Sequence, residues 1–258
     1  MHHTHIDRYA GLESPIHALD SRVKLIAALA FVILVVLTPD GWFLSFAVYS
    51  LLVGAAILAS RVPPVYILKR SLTIMPFALA VSVFIPFVTP GAALWTFHAG
   101  PLSGQVTGEG LVRFFSLSLK ALLSFFATIS LAATTPFGEL MKAAGALGLP
   151  AKMVVVLSFM YRYLFIIIDE AAHMILARDL RGAGGKSLLL ASGGIVGALL
   201  VRSFEHAEKL YYAMLLRGYT GKPVTLHPSH LHARDIALTG VFLTCTLAGL
   251  ILGKLLHA

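Results

Sequence analysis

Residues 236–252 read IALTGVFLTCTLAGLIL, a run that contains no Asp, Glu, Lys or Arg. A longer stretch without these four residues lies between Ser71 and Gly108. Of the 258 residues, 58% are hydrophobic and 12% are charged, whereas a typical soluble domain is about 25% charged. Such a chain has too little polar surface for a soluble globule. The sequence therefore predicts an all-α, polytopic membrane protein.

The composition also excludes several other classes of protein. Cys245 is the only cysteine, which excludes a secreted scaffold held by disulfides. The net charge is +8, but 11 of the 20 Lys and Arg lie between Thr135 and Arg234, together with six of the 12 acidic residues. The other basic residues lie mostly at the ends of apolar runs, as in cytoplasmic loops. We therefore expect no nucleic-acid partner.

Five apolar runs are candidate membrane spans, each close to the required length of about 20 residues. They cover Val23–Thr38, Trp42–Ser60, Leu72–Thr89, Leu111–Ala133 and Ile236–Leu252. Basic residues flank the start of the first run and follow the second, whereas the turn at residues 39–41 and the loop before Glu109 carry none. By the positive-inside rule, the N-terminus and residues 135–234 lie in the cytoplasm.

The block of residues 135–234 is predicted to form a cytoplasmic or inner-face helical domain. Met153–Ile168 is apolar enough for a sixth span, and Leu188–Val201 for a short seventh. If both crossed, the basic loop between them would lie outside, against the charge rule. We therefore favour three parts: residues 1–134 with an N-terminal cytoplasmic segment and four spans, the block itself, and residues 235–258 with a fifth span.

Two of the spans contain residues that are unusual in a membrane. Lys120 lies deep in the fourth span, where it either faces other helices or a wet cavity, or is held by a backbone carbonyl or a phosphate. Pro76 and Pro86 lie in the third span and are expected to kink or break it.

Helix signals inside the block predict helices at about residues 136–147, 150–181 and 187–217. Proline is favoured at a first helical position, and glycine at the left-handed residue just beyond a helix end. The residues that give these signals are Pro136, Pro150, Gly148, Gly182 and Gly218.

The two long predicted helices end with the same pattern, Ala-x-x-x-Arg-Gly, at a spacing of 36 residues. Alanine and arginine lie one turn apart on one face, so a partner can approach closely at the alanine while the arginine binds a carboxylate. A single Arg-Gly is a common helix ending, but two in one block suggest a partner with two similar sites, such as an ATPase dimer. The predicted partner-coupling residues are Ala177, Arg181, Gly182, Ala213, Arg217 and Gly218.

These paired ends resemble the signatures of the transmembrane coupling (T) component of energy-coupling-factor transporters, which are ABC importers. Residues 5–9 and 14–24 resemble the opening of the CbiQ branch, which serves cobalt or nickel uptake; the family often has Asp-Pro-Arg where this chain has Asp20-Ser21-Arg22. Further matches are Thr134-Thr135-Pro136, Leu149-Pro150, and Tyr161-Arg162-Tyr163 with Glu170.

The resemblance implies a multi-pass subunit of the cell membrane without catalytic, cofactor-binding or metal-binding residues of its own. Its partners would be two ATP-binding cassette ATPase subunits, a separate substrate-binding membrane (S) subunit and membrane lipid. Arg181 and Arg217 would dock into grooves on the ATPases. Cobalt is the first expected substrate and nickel the second, with a vitamin-type transporter as the alternative.

Other motifs support weaker hypotheses. Residues 182–187 resemble a phosphate-binding loop, but Leu180 stands where that pattern requires glycine. The histidines near the N-terminus could bind Ni²⁺ or Cu²⁺, and a second group lies beside Pro228. The alternatives are therefore a self-sufficient carrier that uses Lys120, or a membrane enzyme with histidine ligands. The histidines concerned are His2, His3, His5, His227, His230 and His232.

Overall fold

The computed structural model describes residues 9, 11–12, 14–91, 93–99, 102–181, 188–219 and 232–257. These residues form nine helices and one two-stranded hairpin. In chain order the elements are α1 (Ser21–Leu37), α2 (Phe43–Ala59), α3 (Pro64–Ser82), α4 (Ile85–Val88), β1 (Ala93–Ala99), β2 (Leu102–Thr107), α5 (Gly108–Thr134), α6 (Phe137–Ala146), α7 (Ala151–Leu180), α8 (Leu188–Leu216) and α9 (Ala233–His257).

The described residues belong to two compact units. The first, here called the bundle unit, contains residues up to 140 and residues 232–257. The second, here called the long-helix unit, contains residues 141–181 and 188–219. The bundle unit therefore contains all five predicted spans, and the long-helix unit contains α7 and α8.

Within the described residues, four helical stretches are long and apolar enough to cross a membrane: Pro64–Val88, Gly108–Thr134, Ala151–Leu180 and Ala233–Leu255. Helices α1 and α2 are 17 residues each, at the lower end of the roughly 17–25 residues that a span needs. The prediction of an all-α polytopic membrane protein is confirmed. Because α7 meets the same criterion, the sixth crossing that the sequence allowed stays an alternative.

The core of the bundle unit lies where α1, α2 and α5 meet. Phe31, Val35, Tyr49 and Leu123 are buried in one cluster, and the rings of Phe31 and Tyr49 meet edge to face with centroids 5.9 Å apart. Burial of such large side chains, together with edge-to-face aromatic contact, stabilises this helix packing.

The third predicted span breaks, but at a different place from its first proline. Pro76 lies inside α3, which continues to Ser82, and the chain resumes as the short α4 with Pro86 in its first turn. Proline is tolerated at a helix start because its missing N–H has no intrahelical partner there.

The loop expected before Glu109 contains an antiparallel hairpin of β1 and β2, in which Thr96 pairs with Gln105. Thr107 ends the hairpin and caps α5: the Gly110 N–H donates to Thr107 Oγ1 at 3.2 Å. A threonine is a favoured N-cap because its hydroxyl accepts from a free N–H of the first turn.

Lys120 pairs with a side-chain carboxylate, a partner that neither alternative for this residue included. Its Nζ lies 2.7 Å from Asp40 Oδ1, in the turn between α1 and α2. The Gly41 N–H next to it donates to Ser116 Oγ at 3.0 Å. Lys120 thus faces other parts of the bundle and ties the first turn to α5, as expected for an intramembrane charge.

Candidate functional site

The first predicted coupling segment lies at the end of α7. Ala177 and Arg181 are both exposed. The helix ends at Leu180, and the Arg181 N–H donates to the Arg178 carbonyl at 3.1 Å. Gly182 lies outside the described residues, as do residues 183–187 of the loop that resembles a phosphate-binding motif. The arginine therefore projects from a helix terminus, as the sequence predicted.

The second coupling segment ends α8 with a Schellman motif. Gly218 has φ of +78°. Its N–H donates to the Leu215 carbonyl at 2.9 Å, and the Tyr219 N–H donates to the Met214 carbonyl at 3.0 Å. These two bonds satisfy carbonyls that the last turn leaves free, and the left-handed residue between them favours glycine. Gly218 is thus explained by backbone geometry, while the exposed Ala213 and Arg217 stay available to a partner.

Sequence analysis missed one residue in each segment. Leu180 precedes Arg181 and is 81% exposed, and Leu216 precedes Arg217 and is 90% exposed. The signal was present, since both segments end Leu-Arg-Gly. When a partner covers such a leucine and the neighbouring guanidinium group, burial of the apolar side chain and a charged contact stabilise the same interface. We name Leu180 with Arg181, and Leu216 with Arg217, the two tips.

The two tips differ in the residues just before the leucine. On α7, Arg178 donates twice to Asp179 Oδ1, from Nη2 at 2.8 Å and from Nε at 3.0 Å. On α8 the equivalent residues are Met214 and Leu215. Asp179 is therefore engaged by Arg178 and does not neutralise Arg181. Among the described residues, no ion pair involves either tip arginine.

An ion pair joins the two long helices away from their tips. Arg202 of α8 contacts Glu170 of α7 through Nη1 and Oε1. Arg181 follows Glu170 by about three helical turns, and Arg217 follows Arg202 by about four. At 5.4 Å per turn the tips lie about 16 and 22 Å along their helices from this contact. The pair thus fixes a point from which both tips extend.

A tight elbow connects α6 to α7. Gly148 has φ of +113°, and the Leu149 N–H donates back to the Ala144 carbonyl at 3.0 Å. A Cβ on Gly145 would lie 3.0 Å from Val154 Cγ2, so the two helices approach closely here. The predicted glycine end and the proline start are confirmed within one residue, since α7 begins at Ala151 after Pro150.

The described part of the N-terminal motif forms its own hydrogen-bond network. Asp20 caps α1 by accepting from the Arg22 N–H at 2.8 Å. Ser21 donates its hydroxyl to Glu139 Oε2 at 2.8 Å. His17 Nε2 bonds the Tyr9 carbonyl at 2.9 Å, and its Nδ1 lies 2.7 Å from Ser14 Oγ. Burial lowers the pKa of His17, against the opposing effect of the Tyr9 carbonyl.

The described residues give no support to the hypothesis that histidines of this protein bind a metal ion. Among the described residues there is no group of three or more His, Cys, Asp or Glu side chains that could hold a metal ion. His232 is described and lies beside Asp235, with Nδ1 and Oδ2 4.0 Å apart. The other histidines of the two groups, His2, His3, His5, His227 and His230, lie outside the described residues.

These features define a polytopic helical membrane protein with a pair of long helices that end in matching, exposed tips. A family model described as "Cobalt transport protein", named CbiQ, matches residues 13–227. The chain belongs to this family.

Curated relatives are similar in sequence to this protein over most of the chain. The energy-coupling factor transporter transmembrane protein EcfT of Heliobacterium modesticaldum is 30% identical, over 92% of this chain and 94% of that protein. The cobalt transport protein CbiQ of Rhodobacter capsulatus is 29% identical, over 70% and 74%. A putative fused cobalt transport protein CbiMQ of Methanocorpusculum labreanum is 26% identical, over 98% of this chain and 43% of that protein.

Proposed function

We propose that this protein is the non-catalytic transmembrane coupling subunit of an energy-coupling-factor ABC importer. Its family and the names of its relatives support a transporter subunit. The observation that carries the proposal is the pair of exposed Leu-Arg tips on α7 and α8, since one helix end is ordinary but two matching ones suit a partner with two equivalent sites.

Each tip combines an apolar anchor with a charged group. The leucine loses water when a groove covers it, which stabilises the contact. The arginine then binds a carboxylate in a bidentate geometry, strengthened in the drier interface. Ala177 and Ala213, one turn earlier, leave room for the groove wall. Two ATP-binding cassette ATPase subunits would each receive one tip.

Closure of the two ATPases on ATP would move the tips with respect to each other. Because Glu170 and Arg202 hold α7 and α8 together, such movement becomes a change in the angle between the long helices. That change would act on a separate substrate-binding membrane subunit. The fused relative, of which this chain covers less than half, supports the association of this kind of subunit with a further transport domain.

We propose that the N-terminus and residues 135–234 lie in the cytoplasm, where ATP is available. The excess of basic residues in this block supports this orientation under the positive-inside rule. This orientation would divide the chain into three parts, residues 1–134, 135–234 and 235–258.

Cobalt is the substrate class that we favour, with nickel second and a vitamin as the alternative. The family description and the Rhodobacter relative both carry the word cobalt. Uptake of radioactive Co²⁺, Ni²⁺ and a vitamin panel by the assembled complex in liposomes separates the three. Uptake of a vitamin without either metal would overturn this assignment and leave the coupling role intact.

The coupling role is tested by reversing the charge of both tips. The variant Arg181→Glu with Arg217→Glu should lose co-purification with the ATPase subunits and lose ATP-driven uptake, because each glutamate would face a carboxylate. Lys209→Glu is the matched control, since Lys209 is also exposed on α8 but lies two turns before the tip. Normal assembly and uptake by the double variant would contradict the proposal.

A further inference from the structure

The bundle unit contains a cavity of about 400 Å³ among α1, α2, α5 and α9. We infer that this cavity binds the acyl chain of a membrane phospholipid, with an oxygen of its head region at Lys24. This inference rests on the membrane placement of the bundle unit and is independent of the proposed coupling role.

The cavity exists because α2 and α9 are close at one end and apart at the other. A Cβ on Gly253 would overlap Ser45 Oγ, and one on Gly249 would lie 3.1 Å from Tyr49 Cε1. Ser45 Oγ also donates to the Gly249 carbonyl at 2.9 Å. If the same antiparallel register continues along both helices, residues 238–245 lie opposite residues 52–59. The cavity occupies the space between these two segments.

The walls of the cavity are almost entirely carbon, and many are small. Phe31 and Phe242 line it, and their ring centroids lie 5.7 Å apart. Alanines on three helices form much of the remaining wall: Ala27, Ala28, Ala55, Ala56, Ala59 and Ala127. Small side chains leave the space empty, and apolar walls give a bound hydrocarbon favourable contacts without costing hydrogen bonds.

One end of the cavity is polar and charged. Lys24 lines it and is only 7% exposed. Its Nζ donates to the His17 carbonyl at 3.1 Å and to the Thr134 carbonyl at 3.3 Å. An ammonium group has three N–H donors, so these bonds leave one for an oxygen of a ligand.

Three acidic residues, Asp20, Glu139 and Asp235, attract the Lys24 ammonium group electrostatically. The charge of Lys24 therefore has partners within the chain and does not require an anionic ligand. A phosphate or ester oxygen is therefore a sufficient partner at this end.

The occupant follows from the polarity of the cavity and from its surroundings. The rim is exposed at Val241 and Cys245, on segments that lie in the membrane. A ligand with hydrocarbon along its length and oxygen at one end matches the site, and membrane phospholipid is the source present at that rim.

The experiment uses phosphatidylethanolamine that carries a photoreactive diazirine in its acyl chain. The intact chain, reconstituted in liposomes that contain this lipid, is irradiated and the crosslinks are mapped by mass spectrometry. We expect crosslinks concentrated in residues 238–245 and 52–59. Ala28→Leu with Ala56→Leu should reduce them about tenfold, because the added side chains overfill the site. Ala47→Leu, at an exposed position of α2 outside the cavity, should leave them unchanged.

A second measurement does not depend on the filled variant. Cys245 lines the cavity and is the only cysteine of the chain. Added phosphatidylethanolamine should slow its alkylation by a membrane-permeant maleimide in the wild-type protein, and native mass spectrometry should identify the retained molecule as phospholipid. Retention of free fatty acid alone, crosslinks spread evenly over all exposed positions, or unchanged alkylation would each overturn the inference.

Discussion

The bundle unit and the long-helix unit both consist largely of apolar helices, but their helices are packed in different ways. Both buried clusters, around Phe31 and around Ile129, lie in the bundle unit. In the most apolar stretch of α5, 17% of residues are buried within the chain, against 6% for α7. Among the described residues of α8, none is buried.

The difference shows which unit depends on other molecules. The bundle unit has a core of its own, so its helices are positioned by this chain. The long helices expose large side chains such as Met160, Phe204 and Leu216, and an exposed apolar surface of this extent is typical of contact with membrane or partner. We interpret the bundle unit as the fixed part and the long-helix unit as the part completed by the assembly.

Truncation of one phenylalanine in each unit tests this contrast most strongly. Phe31→Ala should destabilise the purified chain by about 3–5 kcal/mol, because the side chain is 1% exposed and leaves a cavity. Phe204→Ala, at a side chain that is 67% exposed, should change stability by less than about 0.5 kcal/mol. Denaturant unfolding in detergent measures both. Equal losses would show that the long helices have a core as well.

The tip leucines should matter only in the complex. Leu180→Ala and Leu216→Ala should each weaken ATPase binding about tenfold, as expected for an anchor worth about 1.4 kcal/mol. The unfolding free energy of the isolated chain should stay the same, because both side chains are exposed. Titration of labelled ATPase measures the affinity, with Val196→Ala, 65% exposed on α8, as control. A loss of chain stability with unchanged affinity would refute the docking role.

The ion pair between α7 and α8 should have a smaller effect. A double-mutant cycle with Glu170→Gln and Arg202→Gln should give a coupling energy of about 0.5–1 kcal/mol, since solvent screens a partly exposed pair. The exchange Glu170→Arg with Arg202→Glu should restore uptake that either single exchange reduces. If the exchanged pair is as inactive as the single variants, this contact does not set the helix crossing.

The smallest expected effect is a pH dependence at the start of the bundle unit. The pKa of His17 is lowered in the fold, chiefly by burial, so the folded state favours the neutral ring. Its contribution to stability is present above the unfolded pKa of about 6.5 and is lost as pH falls below that value. Between pH 8 and pH 5, the midpoint temperature of thermal unfolding should fall more steeply for the wild-type protein than for His17→Gln. Parallel curves would exclude His17 as the source.

Much of this architecture could be predicted from local signals. Gly148 and Gly218 marked two helix ends because only glycine adopts their positive φ without strain. The spans could be predicted from apolar runs of sufficient length. The hairpin before α5 was missed, because hydrophobicity and charge reveal spans but not short strands between them.

Long-range features could not be predicted in the same way. The pairing of Lys120 with Asp40 depends on how α5 packs against the turn after α1, and sequence spacing does not give that packing. Leu180 and Leu216 are visible in the sequence as part of a repeat. Only the structure shows that both side chains are exposed, and their proposed role in docking depends on that exposure. The cavity at Lys24 depends on the divergence of α2 and α9, and the sequence of neither helix indicates that divergence.

Hydrogen exchange at the two tips tests the central claim most directly. Amides in peptides covering residues 176–181 and 212–219 are compared in the isolated chain and after addition of the ATPase subunits, with a peptide from α9 as internal reference. The account predicts strong protection of both tip peptides and none of the reference. Protection elsewhere in the chain while both tips exchange at their free rates would contradict it.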